Sequence, residues 1–381
     1  MVIGQFCDSY PPTLDGVARV TYAYCDGLTK LGHEVYYVAP KNKHAEEYPE
    51  VNKILSPGLK LPTEQWYVGV PVGVKYRKSL NEIPFDIVHA QSPFVAGAEA
   101  ARIAKKLGIP LIATFHSKYY DDFLQRTHSK KLSKLMLKIV VDFYRKCDAV
   151  WTVNEGTREV LRSYGFDGEI RIMENGTDIE QVDDNEIDKL RKRLAPNQNE
   201  LMLLFVGRHN KQKNLKEVIE AAKILKDKGV DFRLVTAGEG PDFDKTVKLA
   251  KKLGLEKETV FLGQVNERKT LMALYKLSDL LVFPSLYDSA PMVLREAAAM
   301  GTAGLLVKGS CSAENLEDGV NALIAESAEP EAIAEKIMEH KARLGEIGAC
   351  AKKVIPKPWR EIMTEVVKEY AELIKAKTKG C

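Results

Sequence analysis

Arg208 and Lys213 stand close together, just after the apolar run 201–206 and just before a helical stretch. Cations fixed there can stabilise the negative charge that develops on a departing diphosphate, with no metal required. The segment Pro284-Ser285-Leu286-Tyr287-Asp288-Ser289-Ala290-Pro291-Met292-Val293-Leu294-Arg295-Glu296 carries two carboxylates, Asp288 and Glu296, with seven residues between them. A small-residue helix should begin near Pro291. The amides of Ala290, Met292 and Val293 would then point at an anion, while Asp288 and Glu296 accept sugar hydroxyls. A third place is 8–17, where a loop holding Pro11 and Pro12 ends in Gly16 at the start of a helix. Glycine there lets backbone amides come close to a phosphate. Each place also has an ordinary reading: a solvated basic turn, a helix-surface carboxylate, a plain βα turn. The alanines at 297–299 suggest a tightly packed helix, which argues against a surface role for Glu296. The 8–17 loop is not G-x-G-x-x-G, so a plain dinucleotide fingerprint is absent.

These residues need a scaffold, and the chain's periodicity supplies one. Strand-like runs at 2–6, 35–39, 85–89, 110–115, 149–153 and 170–173 alternate with helical stretches such as 17–31 and 96–107, both followed by glycine. The alternation restarts at 201–206 and continues through 232–236, 260–262, 280–283 and 303–307. Buried parallel strands with crossover helices produce this pattern. The fold class expected is α/β, with two Rossmann-like domains facing each other across a cleft. Ligands belong beyond the carboxyl ends of such strands. The expected domains are 1–178 and 179–355, with a closing helix in 356–381 that docks back on the first. The polar stretch 183–200, with Pro196 and three asparagines, reads as a helix plus loop at the junction. Pro356 and Pro358 break the preceding helix before an amphipathic stretch at 359–376.

A length of 381 residues suits two cores of about 150–200 residues each. No apolar run approaches the roughly 18 residues a spanning helix needs. A formal charge of +3 is too small to indicate nucleic acid. Six cysteines (Cys7, Cys25, Cys147, Cys311, Cys350, Cys381) are scattered without a C-x-x-C pair, so reduced, mostly buried thiols are expected and a structural zinc is not. The opening strand-like run leads us to expect no signal peptide and a cytoplasmic protein.

Further stretches join these three places into a recognisable set. They are Leu31-Gly32-His33-Glu34-Val35, Thr114-Phe115-His116-Ser117, Asn175-Gly176-Thr177-Asp178, Ala237-Gly238-Glu239-Gly240-Pro241 and Phe261-Leu262-Gly263, with Gly207-Arg208 and Lys213. The set resembles the retaining nucleotide-sugar glycosyltransferases of the two-Rossmann GT-B type, in the large family 4-like group of glycogen synthase-like and bacterial glycolipid enzymes. The resemblance covers nearly the whole chain, and the Asp288/Glu296 pair is its most diagnostic part. It implies that Gly16 contacts the donor diphosphate and that Arg208 and Lys213 neutralise it. Glu296 would hold the ribose hydroxyls and Asp288 the transferred sugar. Gly207, Gly238, Gln264 and Val265 would line the donor, together with Ser289, Ala290, Pro291, Met292 and Val293. His116 would lie beside the reacting centre. The reaction implied is front-face transfer of a hexose from UDP, in which the leaving diphosphate takes the acceptor proton. No cofactor or metal is expected beyond the donor. Two departures stand out: Asp15-Gly16 where the family has Gly-Gly, and Asp288 where it has Glu. The second bears on which sugar is transferred.

Acceptor specificity should belong to the first domain. Trp66 and Tyr67 lie in the aromatic, loop-like stretch 61–71, followed by Lys75, Arg77 and Lys78. A helix is expected at 128–146, with Lys131, Lys134, Lys138 and Arg145 on one side. Leu132, Leu135, Met136, Ile139, Val140 and Phe143 would form another. A basic amphipathic helix can lie on an anionic membrane, and equally can be an ordinary surface helix. Similarity in His89-Ala90-Gln91-Ser92-Pro93-Phe94 and 114–120 to bacterial diacylglycerol glucosyltransferases, fading at Thr152-Val153-Asn154-Glu155, implies a membrane lipid acceptor. It also implies peripheral attachment at the membrane's inner face. A soluble acceptor, a nucleotide-sugar epimerase and a non-catalytic nucleotide-sugar binder are the other readings. Intact Arg208, Lys213 and Glu296 argue against the last.

Overall fold

The computed structural model describes residues 1–11, 15–43, 51–60, 67–71, 73–178, 182–194 and 200–379. The chain divides into two compact units: Met1–Asn175 with Trp359–Cys381, and Gly176–Pro358. The first boundary falls three residues before the expected one. Thr177 pairs with the second unit's end, its amide donating to the Lys357 carbonyl at 2.7 Å.

The first unit is built on a seven-stranded sheet. Its order is Asn52–Ser56, Glu34–Pro40, Val2–Phe6, Ile87–Ala90, Leu111–Phe115, Ala149–Thr152 and Arg171–Ile172, every pairing parallel. The strand Leu111–Phe115 is buried along its whole length, which is why it reads as a continuous apolar run. The edge strand Asn52–Ser56 was not expected; half-polar and mostly half-buried, it lacks that signal. Nor is all of 61–71 a loop, since Tyr67–Gly69 pairs antiparallel with Gly58–Lys60. The closing helix Trp359–Lys379 belongs to this unit and buries Trp359, Ile362, Met363, Val366 and Tyr370. Met363 lies so close over Gly27 that a Cβ there would come 2.6 Å from Met363 Cγ.

The second unit has a six-stranded sheet ordered Thr259–Phe261, Phe232–Ala237, Leu201–Val206, Leu280–Val282, Ala303–Val307 and Leu323–Ala325, again all parallel. Along Leu201–Val206 alternate residues feed two different cores. Met202, Leu204 and Val206 pack with Leu294 and Ala297, whereas Leu203 and Phe205 pack with Leu215 and Ile219. The helices Leu215–Asp227 and Met292–Met300 therefore cover opposite faces, although the strands that precede them are neighbours. Such a reversal opens a crevice at the carboxyl edge.

Five cysteines are free, Cys7 and Cys25 buried and Cys147, Cys311 and Cys350 only half-buried, so "mostly buried" was too strong; Cys381 lies outside the described residues. Among the described residues no helix is long and apolar enough to cross a membrane.

Candidate active site

The second unit's crevice is walled by the loops after Leu201–Val206 and Leu280–Val282, and three side chains tie those loops together. Asn214 Nδ2 donates to the Pro284 carbonyl at 2.8 Å, and Ser285 Oγ donates to the Gln212 carbonyl at 3.1 Å. The third tie is an ion pair between Lys213 Nζ and Asp288 Oδ1. The Lys213 ammonium also sits 5.6 Å from the Phe283 ring centre and 5.9 Å from that of Tyr287. Asp288 Oδ2 is buried and has no hydrogen-bond partner. On the same loop Arg208 is half-buried, and among the described residues its guanidinium has no hydrogen-bond or ion-pair partner. A carboxylate oxygen and a guanidinium left without partners in a crevice are costly unless something else satisfies them.

Glu296 is fully buried. Arg268 Nη1 lies 2.5 Å from its Oε1, and the Tyr275 hydroxyl donates to Oε2 at 3.0 Å. Neither partner was singled out from sequence. The only available hint is that Arg268 opens a helix directly after the 263–267 loop. Before the helix Met292–Met300, Pro291 offers no side-chain cap, which leaves the amides of Met292 and Val293 without an intrahelical acceptor. Ala290 and Pro291 are half-buried and Ser289 is buried.

Gly207 and Gly238 bring two loops into backbone contact. The Gly207 amide donates to the Ala237 carbonyl at 3.0 Å, and a Cβ on Gly238 would lie 1.9 Å from the Gly207 carbonyl oxygen. Gly238 donates in turn to the Gly263 carbonyl at 2.7 Å. Gln264 Nε2 bonds Asn266 Oδ1 at 2.6 Å, and Val265 rests on the core. Between these loops His209 is fully buried and stacked on Phe243 at 5.1 Å, with no partner for either ring nitrogen. Burial pushes its pKa down to about 4. Asp242-Phe243-Asp244 is the chain's one Asp-x-Asp spacing, where none was expected. Asp242 there pairs with Lys245 at 2.7 Å, and no group of metal-ligating side chains forms among the described residues.

In the first unit Gly16 is exposed at the start of the helix Gly16–Lys30, and a Cβ on it would meet nothing within 4 Å. Asp15, the departure noted above, caps that helix by accepting from the Val17 amide at 3.0 Å. His116 follows the strand Leu111–Phe115, half-buried, its Nε2 2.8 Å from Gln91 Oε1. Burial lowers its pKa to about 3, so the ring is neutral near pH 7.

The expected helix 128–146 is the helix Lys130–Tyr144, capped by Ser129. The helix before it, Tyr119–Thr127, ends at His128 in the left-handed conformation. The faces of Lys130–Tyr144 differ from expectation. Ser133, Val140, Val141, Phe143 and Tyr144 face the core, whereas Leu132, Leu135 and Ile139 are 46%, 58% and 64% exposed. Lys131, Lys134 and Lys138 share that outward side, without ion-pair partners among the described residues. Arg145 instead pairs with Asp142 at 3.0 Å and Asp167 at 3.5 Å. Tyr67 is half-buried in its strand; Trp66 lies outside the described residues.

Residues 14–181 match the family model described as Glycosyltransferase Family 4, and residues 186–342 match that described as Glycosyl transferases group 1. The chain is 28% identical over 315 residues to the alpha-monoglucosyldiacylglycerol synthase of Streptococcus pneumoniae, across 79% of this chain and 70% of that protein. It is 25% identical over 385 residues to the GDP-mannose-dependent alpha-mannosyltransferase of Corynebacterium glutamicum, across 98% of this chain and 89% of that one. In fold it is similar to Anabaena HepE in complex with UDP-glucose, with a TM-score of 0.79 at 19% identity over 98% of this chain and 100% of that chain.

Proposed function

Because the chain belongs to the GT-B glycosyltransferases of the family 4-like type, we propose that it moves a hexose from UDP, with retention, to a hydroxyl of a diacylglycerol-type membrane lipid. The observation that carries this reading is the crevice pairing of Lys213 with Asp288, whose second oxygen has no partner, beside a loop whose Arg208 is also unpartnered. A nucleoside diphosphate sugar supplies what both lack. Its phosphates satisfy Arg208 and Lys213, and a sugar hydroxyl donates to Asp288. The amides of Met292 and Val293 add donors for the diphosphate, and Glu296, held by Arg268 and Tyr275, accepts from the ribose. Gly16 leaves open space for a phosphate, and neutral His116 is assigned to the transferred sugar.

In the step itself the bond from the anomeric carbon to the diphosphate oxygen breaks, and its electron pair leaves with the phosphate. The acceptor oxygen bonds to the same face of the carbon and passes its proton to that departing oxygen. Arg208 and Lys213 meet the charge as it develops, so the gain belongs to the transition state rather than to ground-state binding.

Lipid as acceptor is supported by the outward side of Lys130–Tyr144, where three exposed apolar side chains stand among three unpaired lysines. The name of the pneumococcal relative points the same way. The test supplies labelled UDP-glucose, UDP-galactose or GDP-mannose, with EDTA, to vesicles holding diacylglycerol or to soluble sugars. We expect label in the lipid, from a UDP-hexose, as the α-anomer. Label only in soluble sugar would remove the lipid; turnover from GDP-mannose alone would remove the donor.

A further inference from the structure

Lys213 has two anions to serve. Its ammonium is assigned to the diphosphate, yet it is already ion-paired with Asp288 Oδ1, the two side chains only 16% and 17% exposed. The chain on both sides of Lys213 is bound to the segment that carries Asp288. Before it, the Gln212 carbonyl accepts from Ser285 Oγ at 3.1 Å; after it, Asn214 Nδ2 donates to the Pro284 carbonyl at 2.8 Å. Ser285, fully buried, also accepts at Oγ from the amides of Tyr287 at 3.3 Å and Asp288 at 3.4 Å. The Phe283 and Tyr287 rings lie 5.6 Å and 5.9 Å from the ammonium. These ties keep the two backbones from drawing apart. A ligand entering the crevice therefore meets the ammonium and the carboxylate together.

We propose that Asp288 discriminates between the nucleotide sugar and the bare nucleoside diphosphate, by opposing any diphosphate that brings no hydroxyl for its free oxygen. The proposal rests on the donor reading above. A diphosphate drawn to Lys213 arrives beside a carboxylate of its own sign, which offsets part of the ammonium's attraction. If Lys213 instead turns wholly to the phosphate, Asp288 loses its ion pair inside the crevice. Both effects weaken the binding of a bare diphosphate. Asp288 Oδ2 is buried and has no hydrogen-bond partner among the described residues. A hydroxyl of the transferred sugar donating to it compensates the carboxylate. Bare UDP, whose ribose hydroxyls are assigned to Glu296, offers no such donor. Once the sugar has moved to the acceptor, the same carboxylate hastens the departure of the diphosphate left behind.

The experiment is calorimetry on the full-length protein, titrated with UDP and UDP-glucose and, in parallel, with GDP and GDP-mannose. For the nucleotide that binds, Asp288→Asn should tighten the bare diphosphate about fivefold or more, while the nucleotide sugar binds no tighter than to the wild type. A merely structural loss would weaken both. Asp288→Glu keeps the charge and should hold the diphosphate at wild-type affinity; a gain there as large as in Asp288→Asn would make shape rather than charge the cause and overturn the proposal. Asp288→Ala removes the same charge and should act like Asp288→Asn, which keeps the test alive if the first variant does not fold. If the wild type binds the diphosphate and neither neutral variant binds it more tightly, the proposal fails and the donor reading stands. An equal gain for diphosphate and nucleotide sugar would also overturn it, because no hydroxyl then compensates the carboxylate. A wild type that binds none of the four ligands overturns the donor reading, and the proposal with it.

Discussion

Arg208 and Glu296 are both drawn to the donor by our reading, yet the fold depends on them unequally. Arg208 has no partner to lose, so Arg208→Ala should leave the melting temperature unchanged. It should nonetheless remove about 2–4 kcal/mol of transition-state stabilisation, seen as a fall in kcat/KM. A drop in thermal stability with normal turnover would make the residue structural. Glu296→Gln disturbs a buried carboxylate that balances Arg268, so weaker UDP binding by calorimetry should come with some loss of stability. His209 gives a pH signature. Its pKa falls from the ordinary 6.5 to about 4, so below about pH 6.5 the unfolded chain binds a proton that the native ring refuses. Stability is therefore lost as pH falls through that window, by at most about 1.4 kcal/mol per pH unit. His209→Phe, which suits a site lined by Phe205, Phe243 and Phe261, should flatten that limb in urea titrations from pH 7 to 4. An unchanged slope would show that the ring does not titrate there.

At the scale of elements, two glycines separate packing from ligand approach. Gly238→Ala drives a Cβ into the Gly207 carbonyl oxygen at a φ of +139°, so it should destabilise the second unit by more than about 2 kcal/mol and displace the 207–214 loop. Gly16→Ala meets only open space and adds a better helix former, so stability should hold or rise while donor affinity falls. Equal effects on melting would contradict this division. The central strands were legible because strands buried on both faces are continuous apolar runs. Asn52–Ser56 and Leu323–Ala325 were not expected, although the opposite sheet edges, Arg171–Ile172 and Thr259–Phe261, were. In the helix Lys130–Tyr144 the six apolar residues grouped on one side divide, Val140 and Phe143 facing the core and Leu132, Leu135 and Ile139 facing out. Arg208, Lys213, Asp288 and Glu296 were legible from their residue types after strand ends together with the family resemblance. Arg268 and Tyr275, the partners of Glu296, were not, because side chains 28 and 21 residues away leave no local mark.

For the whole molecule the first question is where it works. If Lys131, Lys134 and Lys138 each gain roughly 1 kcal/mol near an anionic surface, three should hold the protein on such vesicles at low salt. Sedimentation with anionic but not neutral liposomes should decline as salt shortens the screening length to about 8 Å or less. Leu135→Glu with Ile139→Glu should abolish it, and equal binding to neutral vesicles would mean that charge is not involved. The second question is completeness. Cutting the chain after Pro358 removes six buried side chains from the first unit and none from the second, so the first unfolding transition should move down or vanish while the second persists. Two unaltered transitions would show that the helix is dispensable.

That same arrangement sets a timetable during synthesis. When the ribosome finishes residue 175, the first unit still lacks the helix that closes its sheet over Gly27 and Tyr24. A further 183 residues (358 − 175), an entire second unit, must emerge before Trp359 does. At about 5–20 residues per second this is a wait of roughly 10–40 s. The half that begins first is finished last, and throughout that interval its unclosed apolar face is what a chaperone would meet.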